Sequence, residues 1–274
     1  MQVDGEMIRQ QDKAFTMVEL LVVIAIIGII AAMALPAINS MITGQQTSAA
    51  RNLIRTALAQ AQAHAAKTQK YAGIRFEFDK DGWRKGRQYL VLIEKAPEGY
   101  SAYQYWAIPN ARPIALPNGV GVISQDHAGD LALDDETGHH DPDWLNHGEY
   151  GLADATTFSI IFSPSGELVS KSVEVRYRQE GAVYDAVFGT IDLVNGVGLA
   201  PNQAPLLYHD NTNWPPQTDS QLWCYTEMST TGLYLYETDA MGQAEVGARY
   251  TDYVRTLEPL LINMYTGNLI NEDF

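Results

Sequence analysis

Two groups of residues in this 274-residue chain carry side chains able to do chemistry. The first is an acid–histidine cluster: Asp126, His127, Asp130, Asp134, Asp135, Glu136, His139, His140, Asp141, Asp143 and His147. Carboxylate oxygens suit Ca²⁺, and imidazole beside carboxylate suits Zn²⁺. The spacing fits neither an EF-hand loop nor His-Glu-x-x-His, so a solvated acidic insertion stands beside the two metal readings. The second is Glu19, a lone carboxylate heading an otherwise uncharged apolar run. An ionised group at the start of such a run is costly, and residues of this kind are usually paired and functional. Catalytic signatures are missing: there is no Gly-x-Ser-x-Gly elbow, no Walker loop and no dinucleotide fingerprint. Ser163 and Ser165 fall in a turn with no partner that sequence nominates, and carboxylate pairs discriminate nothing in so acidic a chain.

The hydropathy pattern marks out the segments on which these groups sit. Residues 1–13 are polar and show no apolar periodicity. Residues 20–38 (LLVVIAIIGIIAAMALPAI) hold no charge and as a helix span roughly 30 Å, about the thickness of a bilayer core. The run exceeds a signal-peptide core, and the plausible cut precedes it, so it reads as a retained anchor. Beyond Pro36, where a kink is expected, Ala49, Ala50, Leu53, Ile54, Ala57, Leu58, Ala61 and Ala65 recur at three- and four-residue steps. Arg51, Arg55, Gln62 and Lys67 take the other side, His64 the edge, and Gly44 is a second soft point. From residue 71 the period becomes two: Ala72, Ile74, Phe76 and Phe78 alternate with Gly73, Arg75 and Glu77. A turn at 79–82 and a strand at 88–94 complete a hairpin. Further strands are predicted at 120–123, 157–162, 172–177, 182–188 and 260–264. A long helix followed by antiparallel strands is an α+β pattern. Insertions are expected at 124–150 and 195–240, the latter richest in Gly, Asn and Pro up to residue 216.

Composition narrows the function classes. Apolar content of 46%, with 15 Tyr and 5 Trp, supports a β-rich core. Net charge is −15; without the leader, three acids against two bases, it is −14. Such a domain repels phosphate backbones, so no nucleic-acid partner is expected. Cys224 stands alone, which excludes an intramolecular disulfide and leaves a small buried apolar residue as its ordinary reading. Tyr100, Tyr103, Tyr105 and Trp106 make either a sheet face or a carbohydrate-stacking surface.

The stretch from Ala14 through Phe15-Thr16-Met17-Val18-Glu19 to Ala32 resembles the amino-terminal signal of type IV pilins and type II secretion pseudopilins. The resemblance implies cleavage between Ala14 and Phe15 by a prepilin peptidase and methylation of Phe15. It makes Glu19 the fifth mature residue, its carboxylate available to the positive amino terminus at Phe15 of its own or a neighbouring chain. Pro36 matches a proline that the family carries late in the anchor. Ala14 departs from the usual glycine and is small enough to be accepted. The 161–166 and 262–268 segments, each a strand running into a turn, resemble pieces of H-type pseudopilins and FimT-like minor pilins.

The resemblance also implies a layout and a role. The layout is a leader (1–14), a transmembrane anchor (15–42), an amphipathic half of the pilin spine (43–70) and a β-rich globular domain (71–274). The role is a structural subunit, minor because large insertions suit a surface that is not densely repeated. The expected partners are the peptidase, other pilins or pseudopilins, an inner-membrane assembly platform and the lipid bilayer. The expected location is the bacterial inner membrane, single-pass, with the globular domain in the periplasm and then in a filament. No enzymatic activity and no cofactor beyond Ca²⁺ is expected. The rival readings are a filament-anchored adhesin or cargo-binding module built on the inserted loops, and a membrane-tethered enzyme.

Overall fold

The computed structural model describes residues 16–78, 87–98, 102–108, 111–133, 152, 155–177, 207–209 and 224–270. For 34–40, 78, 130, 132–133, 176–177, 207–209 and 224–225 the description is of the backbone. The chain divides into two units, Met1–Gly44 and Gln45–Phe274, and the first helix, α1 (Met17–Thr68), contributes to both.

In the first unit α1 presents apolar side chains on every side. Val18, Leu21, Ile24, Ile27 and Ile30 are all exposed, and so is the rest of the apolar run to Met33. Among the described residues no helix is long and apolar enough to cross a membrane. The side chains at 34–40, which continue the apolar run in sequence, lie outside that description.

In the second unit the helix becomes one-sided. Ala50, Ile54, Ala57, Leu58, Ala61 and Ala65 are fully buried, one residue per three- or four-residue step. Four of the six are alanines, which let a helix axis lie close to a sheet. The predicted stripe is slightly too wide: Ala49 is exposed and Leu53 only half-buried. Both stand one residue before a buried position, and the rotation of about 100° per residue turns them off the contact.

Two sheets receive this face. The larger runs β3 (Tyr105–Ala107), β2 (Gln88–Lys95), β1 (Ala72–Phe78), β6 (Phe158–Phe162), β7 (Leu168–Val169), with β4 (Ile114–Ala115) also on β2. The β1–β2 hairpin pairs Ala72 with Glu94 through Phe78 with Gln88, and β6 lies antiparallel on the other side of β1. The second sheet runs β13 (Leu269–Ile270), β12 (Pro259–Ile262), β11 (Gly232–Glu237), β5 (Val120–Ser124). Ile74, Phe76, Leu90, Phe158 and Ile160 of the first sheet share one core with Val122, Leu233, Leu235 and Ile262 of the second and the buried face of α1. Phe76 and Phe158 stack with centroids 4.5 Å apart.

A side chain joins the sheets where no strand does. β5 pairs with β11 along one edge. Towards β2, the buried Gln88 accepts from the Val122 amide (2.7 Å) and donates to the Val122 carbonyl (3.0 Å) and the Thr156 carbonyl (2.7 Å). One amide side chain thus offers β5 the donor–acceptor pair that a neighbouring strand would offer.

The alternation in β1 predicts a polar outer face, and here the structure differs. Arg75 and Glu77 are buried as completely as Ile74 and Phe76. A third sheet, β10 (Cys224–Met228), β8 (Ser172–Tyr177), β9 (Leu207–His209), supplies Val173 and Val175 to a second core with Val91, Ile93 and Ile161. Arg75 donates to Ser159 Oγ (3.0 Å), to Glu77 (3.4 Å) and to Glu227 of β10. Buried guanidinium and carboxylate groups persist only when paired in this way. The 195–240 stretch, expected as an insertion, therefore supplies β9, β10 and β11, the last lying inside the second sheet. On that sheet's reverse face a helical turn (Ala128–Leu133) and α2 (Thr238–Gln243) pack with Tyr236, Met241 and Val254. The ring of Tyr236 lies over Gly121, where a Cβ would come within 2.2 Å of it.

The strands predicted at 120–123, 157–162, 172–177 and 260–264 appear as β5, β6, β8 and β12 within two residues at each end. The strand predicted at 182–188 and the turn at 79–82 lie outside the described residues.

Candidate assembly site

The described chain begins at Thr16, and its first four residues form a reciprocal cap. Glu19 Oε2 accepts from the Thr16 amide (2.9 Å) and the Thr16 hydroxyl (2.8 Å), and Thr16 Oγ1 accepts from the Glu19 amide (3.2 Å). A helix start leaves amide donors unsatisfied, and a Ser/Thr-x-x-Glu pair satisfies two of them at once. Glu19 is thereby held at the positive end of the helix dipole, where a carboxylate is favoured. Sequence reasoning singled out Glu19 and missed Thr16, although the capping-box spacing was there to read. Ala14 and Phe15 lie outside the described residues, and Pro36 sits within the helical span of α1.

The other candidates separate. Asp126 is exposed with its amide on Ser124 Oγ (3.2 Å), His127 is half-buried, and Asp130 lies in the Ala128–Leu133 turn. Asp134, Asp135, Glu136, His139, His140, Asp141, Asp143 and His147 lie outside the described residues. Among the described residues no three His, Cys, Asp or Glu side chains stand close enough to hold a metal ion. Ser163 and Ser165 bond each other (2.7 Å), and Ser165 donates to Glu167 (3.3 Å), which is turn chemistry. His64 is no bystander at the helix edge: its Nε2 lies 2.7 Å from Glu94, whose other oxygen accepts from Trp106 (3.3 Å). That contact spans 30 residues of sequence, so no local pattern announces it.

Both turns singled out in sequence meet at Gln62. Its amide donates to the Gly166 carbonyl (2.8 Å), and a Cβ on Gly267 would fall 3.0 Å from it. Gly166 and Gly267 have φ of +84° and +67°, where glycine alone is unstrained, and the Leu168 amide donates to Met264 (2.7 Å) between the turns.

The geometry defines a class first: an α+β protein whose leading helix is apolar and exposed on all sides from Met17 to Met33, with its one carboxylate held at its start. Residues 9–35 match the prokaryotic N-terminal methylation motif. A fimbrial protein, EcpC of Eikenella corrodens, is 53% identical over 47 residues, 17% of this chain and 31% of that protein's length. The chain thus spans under a third of that relative, and no solved structure matches. The amino-terminal segment thus carries a prokaryotic methylation motif and is similar to that of a fimbrial protein.

Proposed function

We propose that this chain is a minor structural subunit of a type IV pilus or a type II secretion pseudopilus, one that acts by assembly and not by catalysis. The observation that carries the reading is the surface from Met17 to Met33: apolar all round, exposed, and charged only at Glu19. A helix of that kind needs an apolar surrounding. A bilayer supplies it before assembly and neighbouring helices supply it afterwards. The uncharged sequence through Ile38 gives the length for a single span, with the globular unit on the periplasmic side. A prepilin peptidase cuts between Ala14 and Phe15 and methylates Phe15; an inner-membrane platform then adds the subunit to others of its kind. Small residues such as Gly28, Ala31 and Ala32 permit close helix contact there. The 161–166 and 262–268 turns, which meet at Gln62, are the segments that carry the likeness to H-type pseudopilins and FimT-like minor pilins.

The test is the mass of the mature amino terminus in membranes and in sheared filaments. Methyl-Phe15 is expected. A chain still beginning at Met1, or one cut after residue 38, overturns the reading. Glu19→Ala should leave that mass unchanged and remove the protein from the filament fraction.

A further inference from the structure

In an acidic protein, one end of the larger sheet gathers positive charge. Lys95 closes β2 and Lys171 precedes β8; each ammonium lies over a tyrosine ring, Lys95 over Tyr105 at 5.2 Å and Lys171 over Tyr71 at 4.8 Å. The two rings are near enough that Tyr71 opposes ionisation of Tyr105, and the two ammonium groups repel one another. Lys95 is held below the ordinary lysine range, first by partial burial and further by Lys171, with Glu174 acting in the other direction. Lys95 also donates to the Ala102 carbonyl, and the Glu174 amide donates to the Tyr103 carbonyl (2.8 Å). These bonds pin residues 102–104 against β8 and leave Tyr103 half exposed beside the lysines.

Among the described residues neither ammonium forms a salt bridge and Glu174 is the carboxylate that acts on Lys95, so positive charge gathers on a tyrosine floor in a chain whose net charge is −15. We propose that the Lys95–Lys171 pair, with Tyr103 at its rim, docks a carboxylate-bearing segment of a neighbouring protein subunit. A carboxylate placed between the ammonium groups relieves their repulsion, and Tyr103 adds aromatic contact of the kind enriched at interfaces. Two ammonium groups are too few for a polyphosphate track, whose affinity grows with the number of phosphates neutralised. They suit one or two carboxylates of a peptide. The identity of the neighbour as a fellow filament subunit rests on the function proposed above; the charge chemistry does not.

The experiment uses the full-length protein in detergent micelles and a fluorescein-labelled hexaglutamate peptide, read by anisotropy. Binding should weaken about tenfold or more in the Lys95→Met/Lys171→Met double variant and fade by about 0.5 M NaCl, as a screened charge contact must. Tyr103→Ala should cost less, about threefold, and Arg51→Gln, on α1, should cost nothing. Hexaglutamine should not bind. Thermal melting reports whether the double variant folds; if it does not, the single Lys171→Met variant carries the comparison. Equal hexaglutamate affinity in wild type and the folded lysine variant overturns the proposal. So does binding of an alginate oligomer without binding of hexaglutamate, which would make the patch a sugar site. Because the readout needs no filament, its failure leaves the amino-terminal mass test of the proposed function standing, and the reverse also holds.

Discussion

From Met17 to Met33 helix α1 shows isoleucine, leucine and valine in every direction, whereas from Gln45 to Thr68 it buries one narrow face and exposes Asn52, Thr56, Gln60 and Lys67. The backbone conformation is the same in both halves, so helix propensity does not distinguish them. What differs is the source of the apolar surrounding. The second half finds it inside its own fold, between two sheets; the first half is exposed and finds none among the described residues. Substitutions in the two halves should therefore fail in different assays.

The sharpest version places an aspartate in each half. Leu58→Asp buries a charge in the core and should abolish folding of the second unit, seen as loss of its melting transition. Ile26→Asp, at an exposed position, should leave that transition in place. It should instead weaken membrane retention by about 3 kcal/mol, read by alkaline carbonate extraction. If Ile26→Asp lowers the melting temperature as much as Leu58→Asp does, the distinction between the halves is wrong.

Arg75→Met asks whether the folded unit depends on more than apolar burial. Removing the guanidinium leaves Glu77 and Glu227 buried without it and should cost about 3–5 kcal/mol in urea unfolding. Leu58→Ala should cost about 2–5 kcal/mol in the same assay, and Ile27→Ala close to nothing.

Alkali separates the halves by another route. Burial raises Tyr105, Tyr236 and Tyr253 above the ordinary phenol value, so the folded unit keeps protons that the unfolded chain releases near pH 10. Their contribution is whole below about pH 10 and is lost as the pH rises further, so the urea midpoint should fall from there upward. Met17–Gly44 has no tyrosine, and its helicity in micelles should not follow that fall. The smallest effect is expected for Gln62→Ala, about 1 kcal/mol in urea unfolding for one buried-side hydrogen bond.

Much of this was legible in sequence because it is periodic or local. The apolar run, the alanine stripe, the hairpin at β1 and the strands at β5, β6 and β8 all follow from repeats of 3.6 or 2 residues. The capping pair Thr16–Glu19 is local as well and needed only its spacing. Arg75 is the instructive miss. A period of two states which residues share a face and is silent on whether the other face meets water or a third sheet. β10 and β11 were hidden for a related reason. They follow a Gly/Asn/Pro-rich stretch that reads as insertion, and their partners are far away in sequence: β8 for the one, β5 and β12 for the other. His64, Gln62 and Gln88 act through contacts 30, 104 and 34 residues distant, beyond any local pattern.

Gln88 has a consequence for how the protein tolerates mutation. A β-ladder is written in backbone atoms, so nearly any codon change leaves its hydrogen bonds in place. The contact between β2 and β5 is written in a side chain, and the amide of one glutamine meets both polar groups of Val122. A single nucleotide change that turns Gln88 into leucine, lysine or glutamate removes or unbalances that pair while every strand stays intact. In a library of random variants, position 88 should therefore be as intolerant as the alanines under the helix, although glutamine is among the more replaceable residues on most protein surfaces.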